Sequence, residues 1–369
     1  MKKLLILFAL IVFSFATSVE KFEKACNSGD ASACNELGVI YHLGKGVPQN
    51  HELAIKLLKK ACDLGDADGC YNLGVTYHYG KGVPKNHKLA IDFYKKGCEL
   101  NNKNACADLG ITYNFGKGVP KNIPLAIKLY KKACRLGSAK ACNNLAFIYN
   151  NDKGALKNNV LAIKFYRKAC ELGDAAGCSN LGIMYHYGKG VPKNIPLAIK
   201  LYKKACRLGD VVGCYNLGAI YYHGKGVYRD IKSAINFYNK ACELNNKDAC
   251  YALGTIYYLG EDITRNIKLA INFYNKACNL GNAKACHNLG VIYKNGDGVY
   301  RDIKSAINFY NKACNLGIGR SCSILGEIYY NGYGVSRSVR LAMYFLQKGC
   351  HLGDSQGCYN LDLLYKYYR

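Results

Sequence analysis

Apolar and polar positions recur along this chain with a period of 36 residues, and each period contains two stretches with helical spacing. In the first stretch a Cys, a Leu and a Tyr stand at offsets 0, 3 and 7, which lie on one face of an α-helix. The Leu and the Tyr occur in all ten copies, from Leu37 to Leu361 and from Tyr41 to Tyr365. The pattern predicts a helix, named helix A, in which these three side chains form the buried stripe; its offsets are counted from the second cysteine of each pair, and its start is expected between the two cysteines.

Small residues stand where the two helices of a period are expected to meet. Offset 4 of helix A is Gly in eight copies, although Gly costs about 1 kcal/mol of helix propensity. The second stretch, named helix B, carries an Ala at the period in nine copies, from Ala54 to Ala342. A small residue on each helix predicts that the two axes approach closely, with a second backbone near the Gly.

Turn and cap residues mark the ends of the predicted helices. Gly44 is expected to end helix A in the left-handed conformation, and Asn50 is expected to cap helix B. Helix B ends at Gly65 or its equivalents, which are Asn101 and Asn245 in two copies because Asn also tolerates positive φ. The expected fold is therefore all-α: a right-handed α/α superhelical solenoid of helical hairpins. Two loops, around residues 152–155 and 261–263, depart from the consensus and are expected to differ.

The twenty cysteines fall into ten Cys-x7-Cys pairs with none left over. In an unbroken helix, cysteines eight residues apart would be about 12 Å apart, beyond the reach of a disulfide. The helix stop between them places the end of helix B beside the start of the next helix A, so a disulfide worth about 2.5 kcal/mol is expected to join each repeat to the next. The expected pairs are Cys26/Cys34, Cys62/Cys70, Cys98/Cys106, Cys134/Cys142, Cys170/Cys178, Cys206/Cys214, Cys242/Cys250, Cys278/Cys286, Cys314/Cys322 and Cys350/Cys358.

The beginning of the chain has the pattern of a signal peptide. Lys2 and Lys3 precede an apolar run from Leu4 to Phe15, and small residues follow up to Ser18. An exported chain meets the oxidising conditions in which twenty paired cysteines form disulfides. We therefore predict a secreted or periplasmic protein, and no later apolar run is long enough for a membrane span.

The domain organisation follows from the signal peptide and the repeat. The solenoid is expected to be a single one, because neighbouring repeats stack on each other and do not close separate cores. The predicted boundaries are a signal peptide over 1–18 and a solenoid over 19–369, the latter made of an N-terminal half-helix cap (19–30), nine helix pairs (31–353) and a C-terminal capping helix (354–369).

The formal net charge of +26 falls to +24 once Lys2 and Lys3 are removed with the signal peptide. Much of it comes from Lys pairs on helix B, such as Lys59-Lys60 and Lys131-Lys132, which are typical of a solvated face. Such a charge also favours attraction to anionic surfaces. Nothing in the pattern indicates specific nucleic-acid recognition.

Three short motifs carry a resemblance: Leu-Gly-x-x-Tyr in helix A, Gly-x-Gly-Val in the loop and Leu-Ala-Ile in helix B. Together they resemble the Sel1-like repeat, a relative of the tetratricopeptide repeat. With Cys-x7-Cys in every unit and a signal peptide, the chain is similar to the Helicobacter cysteine-rich protein family. The resemblance implies an adaptor that gathers partners, as Sel1-like proteins usually do. It also implies a penicillin-binding protein or weak β-lactamase, as members of the cysteine-rich family are described.

Motifs for catalysis are sparse. A serine β-lactamase needs Ser-x-x-Lys, Ser-Asp-Asn and Lys-Thr-Gly, and the only Ser-x-x-Lys runs from Ser18 to Lys21 across the expected cleavage site. His42, His78 and His186 share offset 8 but stand whole repeats apart, so we expect exposed surface histidines and no metal site. No cofactor is expected. The alternative function, β-lactam binding or slow hydrolysis, therefore rests on the resemblance, with no catalytic residue assigned.

Helix A also carries a row of Asn residues at offset 2, on the side opposite the predicted buried stripe. By likeness to related solenoids this side is concave, with apolar residues such as Val75 and Tyr79 beside the row. Asn can donate to and accept from a peptide backbone, so we hypothesise a groove for an extended peptide or peptide-like ligand from the cell wall or a host. Alternatively, these Asn residues bond locally between adjacent A helices. The candidate ligand-binding residues are Asn72, Asn144, Asn180, Asn216, Asn288 and Asn360.

Overall fold

The structure, a computed structural model, describes residues 19–151 and 156–368. The predicted signal peptide and the loop at 152–155 lie outside these ranges. Within them every regular element is an α-helix, as predicted. The helices are α1 (19–27), α2 (Ala31–Leu43), α3 (His51–Asp63), α4 (Ala67–Tyr79), α5 (His87–Glu99), α6 (Lys103–Phe115), α7 (Ile123–Arg135), α8 (Ala139–Asn151), α9 (Asn159–Glu171), α10 (Ala175–Tyr187), α11 (Ile195–Arg207), α12 (Val211–His223), α13 (Ile231–Glu243), α14 (Lys247–Leu259), α15 (Ile267–Asn279), α16 (Ala283–Asn295), α17 (Ile303–Asn315), α18 (Gly319–Asn331), α19 (Val339–His351) and α20 (Ser355–Tyr367).

Even-numbered helices are A helices and odd-numbered helices are B helices. The chain divides into two compact units, Met1–Pro192 and Lys193–Arg369, named unit 1 and unit 2. In unit 1, α4 packs on α5 within its hairpin and on α3 of the preceding repeat, and α14 of unit 2 packs in the same way on α15 and α13. Each unit is thus a solenoid of stacked helical hairpins. Across the described residues no helix has both the length and the hydropathy that a bilayer crossing requires.

The buried face of helix A is broader than the predicted stripe. Cys70, Leu73 and Gly74 of α4 are buried as expected, and Thr76 at offset 6 is buried too. The face is wide because α4 packs between two helices, α3 and α5. The Tyr at offset 7 is half-buried in most copies, so the prediction that it belongs to the buried stripe is wrong for most repeats. Its ring stacks on a Phe of helix B, as in Tyr77 on Phe93 with ring centroids 5.8 Å apart, and this covers only part of the side chain.

The Gly at offset 4 makes room for a buried ring. A Cβ built on Gly74 would lie 2.6 Å from the ring of Tyr94 and 3.3 Å from the carbonyl oxygen of Ala90. The predicted close approach is present, but the nearest group is an aromatic side chain of helix B and not its backbone. The almost wholly buried rings at this position of helix B include those of Tyr94, Tyr130, Tyr166, Tyr238, Tyr274 and Tyr310.

The predicted helix ends are present in the structure. Gly44 has φ 66° and its N–H donates to the carbonyl of Ile40, while the side chain of Asn50 accepts from the N–H of Leu53. Asn101 and Asn245 adopt positive φ at 66° and 64°. These residues set where each helix stops, and thereby fix the reversal that brings successive helices together.

The loop after α14 departs from the consensus in sequence but keeps one left-handed residue. Asp262, with φ 57°, takes the place that Gly holds in other loops. Arg229 of the preceding loop bonds to Glu261 at 2.8 Å and to Asp262 at 3.3 Å. These two exposed ion pairs join this loop to the preceding one.

Every predicted cysteine pair is a disulfide in the structure, and no cysteine is free among the described residues. The bonded Cα atoms lie 4.5–4.9 Å apart, since the chain reverses between them. Each bond joins the last turn of a B helix to the first turn of the next A helix. The bonded pairs are Cys26–Cys34, Cys62–Cys70, Cys98–Cys106, Cys134–Cys142, Cys170–Cys178, Cys206–Cys214, Cys242–Cys250, Cys278–Cys286, Cys314–Cys322 and Cys350–Cys358.

The second cysteine of each pair lies in the first turn of helix A. Helix α4 begins at Ala67, so Cys70 is its fourth residue. The helix starts there because Asp66 caps it, its side chain accepting from the N–H of Gly69. The cysteines at this position are Cys34, Cys70, Cys106, Cys142, Cys178, Cys214, Cys250, Cys286, Cys322 and Cys358, all of them buried except the half-buried Cys358.

Candidate functional site

The six candidate Asn residues are half-buried, and several are engaged with neighbouring repeats. The amide of Asn72 donates to Oδ1 of Asn35 at 2.9 Å, and the amide of Asn180 donates to Oδ1 of Asn143 at 3.1 Å. Each bond runs from offset 2 of one A helix to offset 1 of the preceding one. At these positions the structure favours the alternative that Asn bonds locally between adjacent A helices.

The remaining candidates lie at similar junctions. The amide of Asn360 donates to Glu327 at 3.3 Å, while Asn144 and Asn288 lie beside the hydroxyls of the buried rings of Tyr130 and Tyr274. Asn216 is half-buried at the same offset of α12. The Asn row therefore contributes to packing between repeats.

A cleft with a volume of about 560 Å³ lies on the A helices of unit 2, lined by residues of α12, α14 and the start of α16. Tyr215 and Tyr222 of α12 and Tyr251 of α14 line it, together with His223 and Thr255. Sequence reasoning missed these tyrosines because it searched offset 2, whereas they stand at offsets 1 and 8. The sequence did contain a signal for this cleft. Helices α12 and α14 each carry a Tyr at offset 1 and a second Tyr at offset 8.

Local sequence explains why the cleft opens here. Ala252 stands at offset 2 of α14, where most A helices have a longer side chain, and it lines the cleft. Tyr251 packs against the buried ring of Tyr274 with centroids 5.8 Å apart, and Tyr215 packs against Tyr238 at 5.7 Å. The aromatic walls are held by the core before any ligand arrives.

Charged groups border the cleft at the start of α14 and α16. Lys247 and Lys284 line it, as does Asp248, whose carboxylate accepts a bond of 2.9 Å from the amide of Asn282. Lys247 also donates to the carbonyl of Gly281 at 3.4 Å. With the acid held by an amide, this end of the cleft is suited to a carboxylate or another anionic group of a ligand.

Two smaller clefts follow on the A helices of the same unit. One, of about 120 Å³, is lined by Asn288 with Tyr258 and Val291. The other, of about 280 Å³, is lined by Asn360 with Tyr330. Clefts that recur along successive A helices provide separate places for successive side chains of a ligand.

The histidines at offset 8 are half-buried, which corrects the expectation that they are exposed. The ring of His42 packs edge-on against His51 with centroids 5.0 Å apart, and His78 packs against His87 at 5.3 Å. Burial, reinforced by the neighbouring His51, lowers the pKa of His42. Among the described residues, no group of three or more His, Cys, Asp or Glu side chains is placed to hold a metal ion.

Stacked helical hairpins with a fixed period define the class of helical repeat proteins, which present extended surfaces to partners. The sequence profile of the Sel1 repeat matches nine consecutive segments: 31–66, 67–102, 103–138, 139–174, 175–210, 211–246, 247–282, 283–318 and 319–354. The chain belongs to the Sel1 repeat family. Proteins built from this repeat typically act as scaffolds for protein–protein interaction.

The chain is similar to solved structures of proteins from Escherichia coli, Oxalobacter formigenes and Helicobacter pylori. The c5321 protein of uropathogenic Escherichia coli, a protective antigen, is 28% identical with a TM-score of 0.64 over 94% of this chain and 82% of that chain. A Sel1 repeat protein of Oxalobacter formigenes is 22% identical with a TM-score of 0.67, covering 86% and 93%. Cysteine-rich protein B of Helicobacter pylori is 38% identical with a TM-score of 0.31, covering 37% and 99%. A comparison with curated protein sequences gives no match.

Proposed function

We propose that this Sel1 repeat protein is a binding scaffold whose A helices take up an extended peptide or peptide-like segment. The observation that carries the proposal is the cleft walled by Tyr215, Tyr222 and Tyr251. Tyrosines combine a large apolar ring with a polar tip and are frequent anchors at binding surfaces. Rings already fixed by packing lose little conformational freedom when a ligand binds.

Chemistry around the cleft supports a peptide over a compact substrate. Lys247 and Lys284 supply cations for a carboxylate, and the clefts at Asn288 and Asn360 continue the binding surface along unit 2. An extended chain presents a backbone and side chains at regular intervals, which matches a series of clefts. Under this proposal the Asn row adds hydrogen bonds to that backbone.

The disulfides support a particular compartment for the scaffold. Ten bridges, nearly all of them buried, persist where the surroundings are oxidising, as in a periplasm or outside a cell. Together with the signal peptide expected from the sequence, they support a secreted or periplasmic protein. Cell-wall stem peptides and host peptides are the ligands accessible there.

The test measures binding of an array of synthetic peptides, cell-wall stem peptides included, to purified protein and to two single variants. Tyr222→Ala and Tyr251→Ala are each expected to weaken the best peptide at least tenfold, because each removes one aromatic wall of the cleft. Tyr228→Ala is the matched control, since this loop tyrosine is 97% exposed and lies outside the cleft. Equal affinity in all four proteins would contradict the proposed site.

A second experiment distinguishes peptide binding by the Asn row from peptide binding by the aromatic cleft. The combined variant Asn216→Ala, Asn288→Ala and Asn360→Ala, all in unit 2, is expected to abolish peptide capture while the helical circular dichroism stays unchanged. Undiminished binding would remove the Asn residues from the proposal and leave the cleft standing. Loss of binding in this variant alone would instead assign recognition to the Asn row.

The alternative implied by the resemblance is a penicillin-binding protein with slow β-lactam hydrolysis. It is tested by turnover of a chromogenic β-lactam, before and after treatment with an acylating inhibitor. The scaffold predicts at most stoichiometric binding, whereas many turnovers that the inhibitor abolishes would establish the enzyme.

A further inference from the structure

The B helices carry a groove that the proposed peptide surface does not use. It lies between α7 and α9 of unit 1 and has a volume of about 930 Å³. Pro124, Ile127 and Phe165 provide its apolar part. Among the described residues that line it, the acid is Glu171 and the cations are Lys128, Lys131, Arg135, Lys164, Arg167 and Lys168.

The residue beside the recurring Lys of each B helix varies in charge along the chain. Between α3 and α5, Lys96 bonds to Asp63 at 2.9 Å, which joins two neighbouring B helices. Between α17 and α19 the equivalent Lys348 donates to Asn315 at 2.8 Å. At the equivalent place between α7 and α9 the pair is Lys168 and Arg135, two cations that both line the groove. The same pair recurs as Lys240 and Arg207 between α11 and α13, but there Asn236 and Asn239 stand in place of the groove's Lys164 and Arg167. Like charges at this place oppose each other unless an anion binds between them.

Other contacts leave the groove strongly positive. Within the described part of the chain, none of the six cations forms an ion pair. The ammonium of Lys131 lies 6.0 Å from the ring centre of Tyr149, and Arg167 donates to the hydroxyl of Tyr185 at 3.0 Å. Both contacts hold a cation in position without neutralising it.

We propose that the groove between α7 and α9 binds a single-chain amphiphilic anion. Arg135 and Lys168 take its phosphate or other anionic head, because a guanidinium and an ammonium side by side provide several charge-assisted donors. Ile127 and Phe165 pack against its apolar chain. The groove has the volume of pockets that bind small ligands, at the upper end of their range. This inference is independent of the peptide-binding proposal.

The test uses decyl phosphate below its micelle concentration, with inorganic phosphate and the neutral decyl maltoside as comparison probes. Isothermal titration calorimetry is expected to show one molecule of decyl phosphate per chain. Both comparison probes are expected to bind at least tenfold more weakly, since each lacks either the apolar chain or the anionic head.

Arg135→Asp supplies the matched variant. It places an acid beside Lys168, as Asp63 lies beside Lys96, and is expected to weaken decyl phosphate at least tenfold. Its fold is expected to survive, because Asp and Glu occur at this position in other repeats, as Asp63 and Glu99. Arg207→Asp is the control: residues 118–137 and 190–209 are identical, and Arg207 is also followed 33 positions later by a Lys, Lys240. The control place has Asn236 and Asn239 where the groove has Lys164 and Arg167, so it tests whether those two cations make the site.

Binding that falls equally in Arg135→Asp and Arg207→Asp would overturn the site and indicate general attraction to a basic protein. Binding of phosphatidylglycerol vesicles without any binding of monomeric decyl phosphate would overturn it in favour of a membrane surface. Tighter binding of a polyglutamate peptide than of decyl phosphate would overturn it in favour of an acidic protein partner. Tenfold loss in Arg135→Asp with at most a twofold change in Arg207→Asp supports it.

Discussion

Reduction of all ten disulfides is expected to remove most of the free energy of unfolding of this protein. Each bond closes a loop with a sequence separation of 8, which contributes about 2.5 kcal/mol when the lost entropy of the unfolded chain is counted. Contributions of separate repeats are nearly additive, so ten bonds amount to roughly 25 kcal/mol. That is comparable with the total expected for a chain of this length at about 0.1 kcal/mol per residue.

The measurement is denaturant unfolding followed by circular dichroism, with oxidised protein compared against protein that was reduced and alkylated in denaturant. A milder variant, Cys62→Ala with Cys70→Ala, isolates one bond and is expected to lower the free energy of unfolding by about 2.5 kcal/mol. Alkylation without reductant is the control and is expected to label nothing, as no cysteine of the described chain is free. Unchanged midpoints after full reduction would show that helix packing alone stabilises the chain.

Alkaline pH is expected to unfold the protein through its buried tyrosines. Burial raises the pKa of Tyr94, Tyr130, Tyr166, Tyr238, Tyr274 and Tyr310 above the ordinary value of 10.0. In the unfolded chain these phenols lose their protons near pH 10, whereas in the folded chain they keep them. Above pH 10 the unfolded state therefore binds fewer protons, and stability falls by up to about 1.4 kcal/mol per tyrosine for each pH unit.

Six such tyrosines make the fall as steep as about 8 kcal/mol per pH unit. Denaturant unfolding between pH 8 and pH 11 measures it, and phenolate absorbance shows whether the buried rings ionise only when the chain unfolds. Tyr166→Phe is the matched control, because burial alone raises the pKa of Tyr166 and Phe keeps the ring. This variant is expected to show a shallower slope, and an identical slope would contradict the tyrosine origin of the effect.

Sequence periodicity predicted the helices, most of their ends and the disulfides because each depends on residues close together in the chain. Asn50 caps the helix that follows it, and Cys62 bonds to Cys70 across one turn. The half-burial of Tyr77 was not predicted, since it depends on a stacking partner, Phe93, in the next helix. A helical wheel places side chains on a face but does not show what covers them.

The candidate binding surfaces were less accessible to sequence reasoning. The tyrosine cleft requires side chains from α12 and α14 and a short residue, Ala252, where other repeats have a longer one. The basic groove depends on which residue faces Lys168, and that neighbour, Arg135, is 33 positions earlier in the sequence. Both surfaces arise from differences between repeats, whereas the periodic pattern reports what the repeats share.

Because of where the disulfides lie, contacts between successive helices alternate along the chain between packing alone and packing with a covalent cross-link. Within a hairpin, α4 and α5 are held by close packing alone, whereas α3 and α4 are tied by the bond between Cys62 and Cys70. A force that separates the ends of the chain would open hairpins but stop at every covalent tie. A protease that cuts the chain between Cys62 and Cys70 would leave α3 and α4 joined through their disulfide, whereas a cut in the loop between α4 and α5 would separate those two helices covalently.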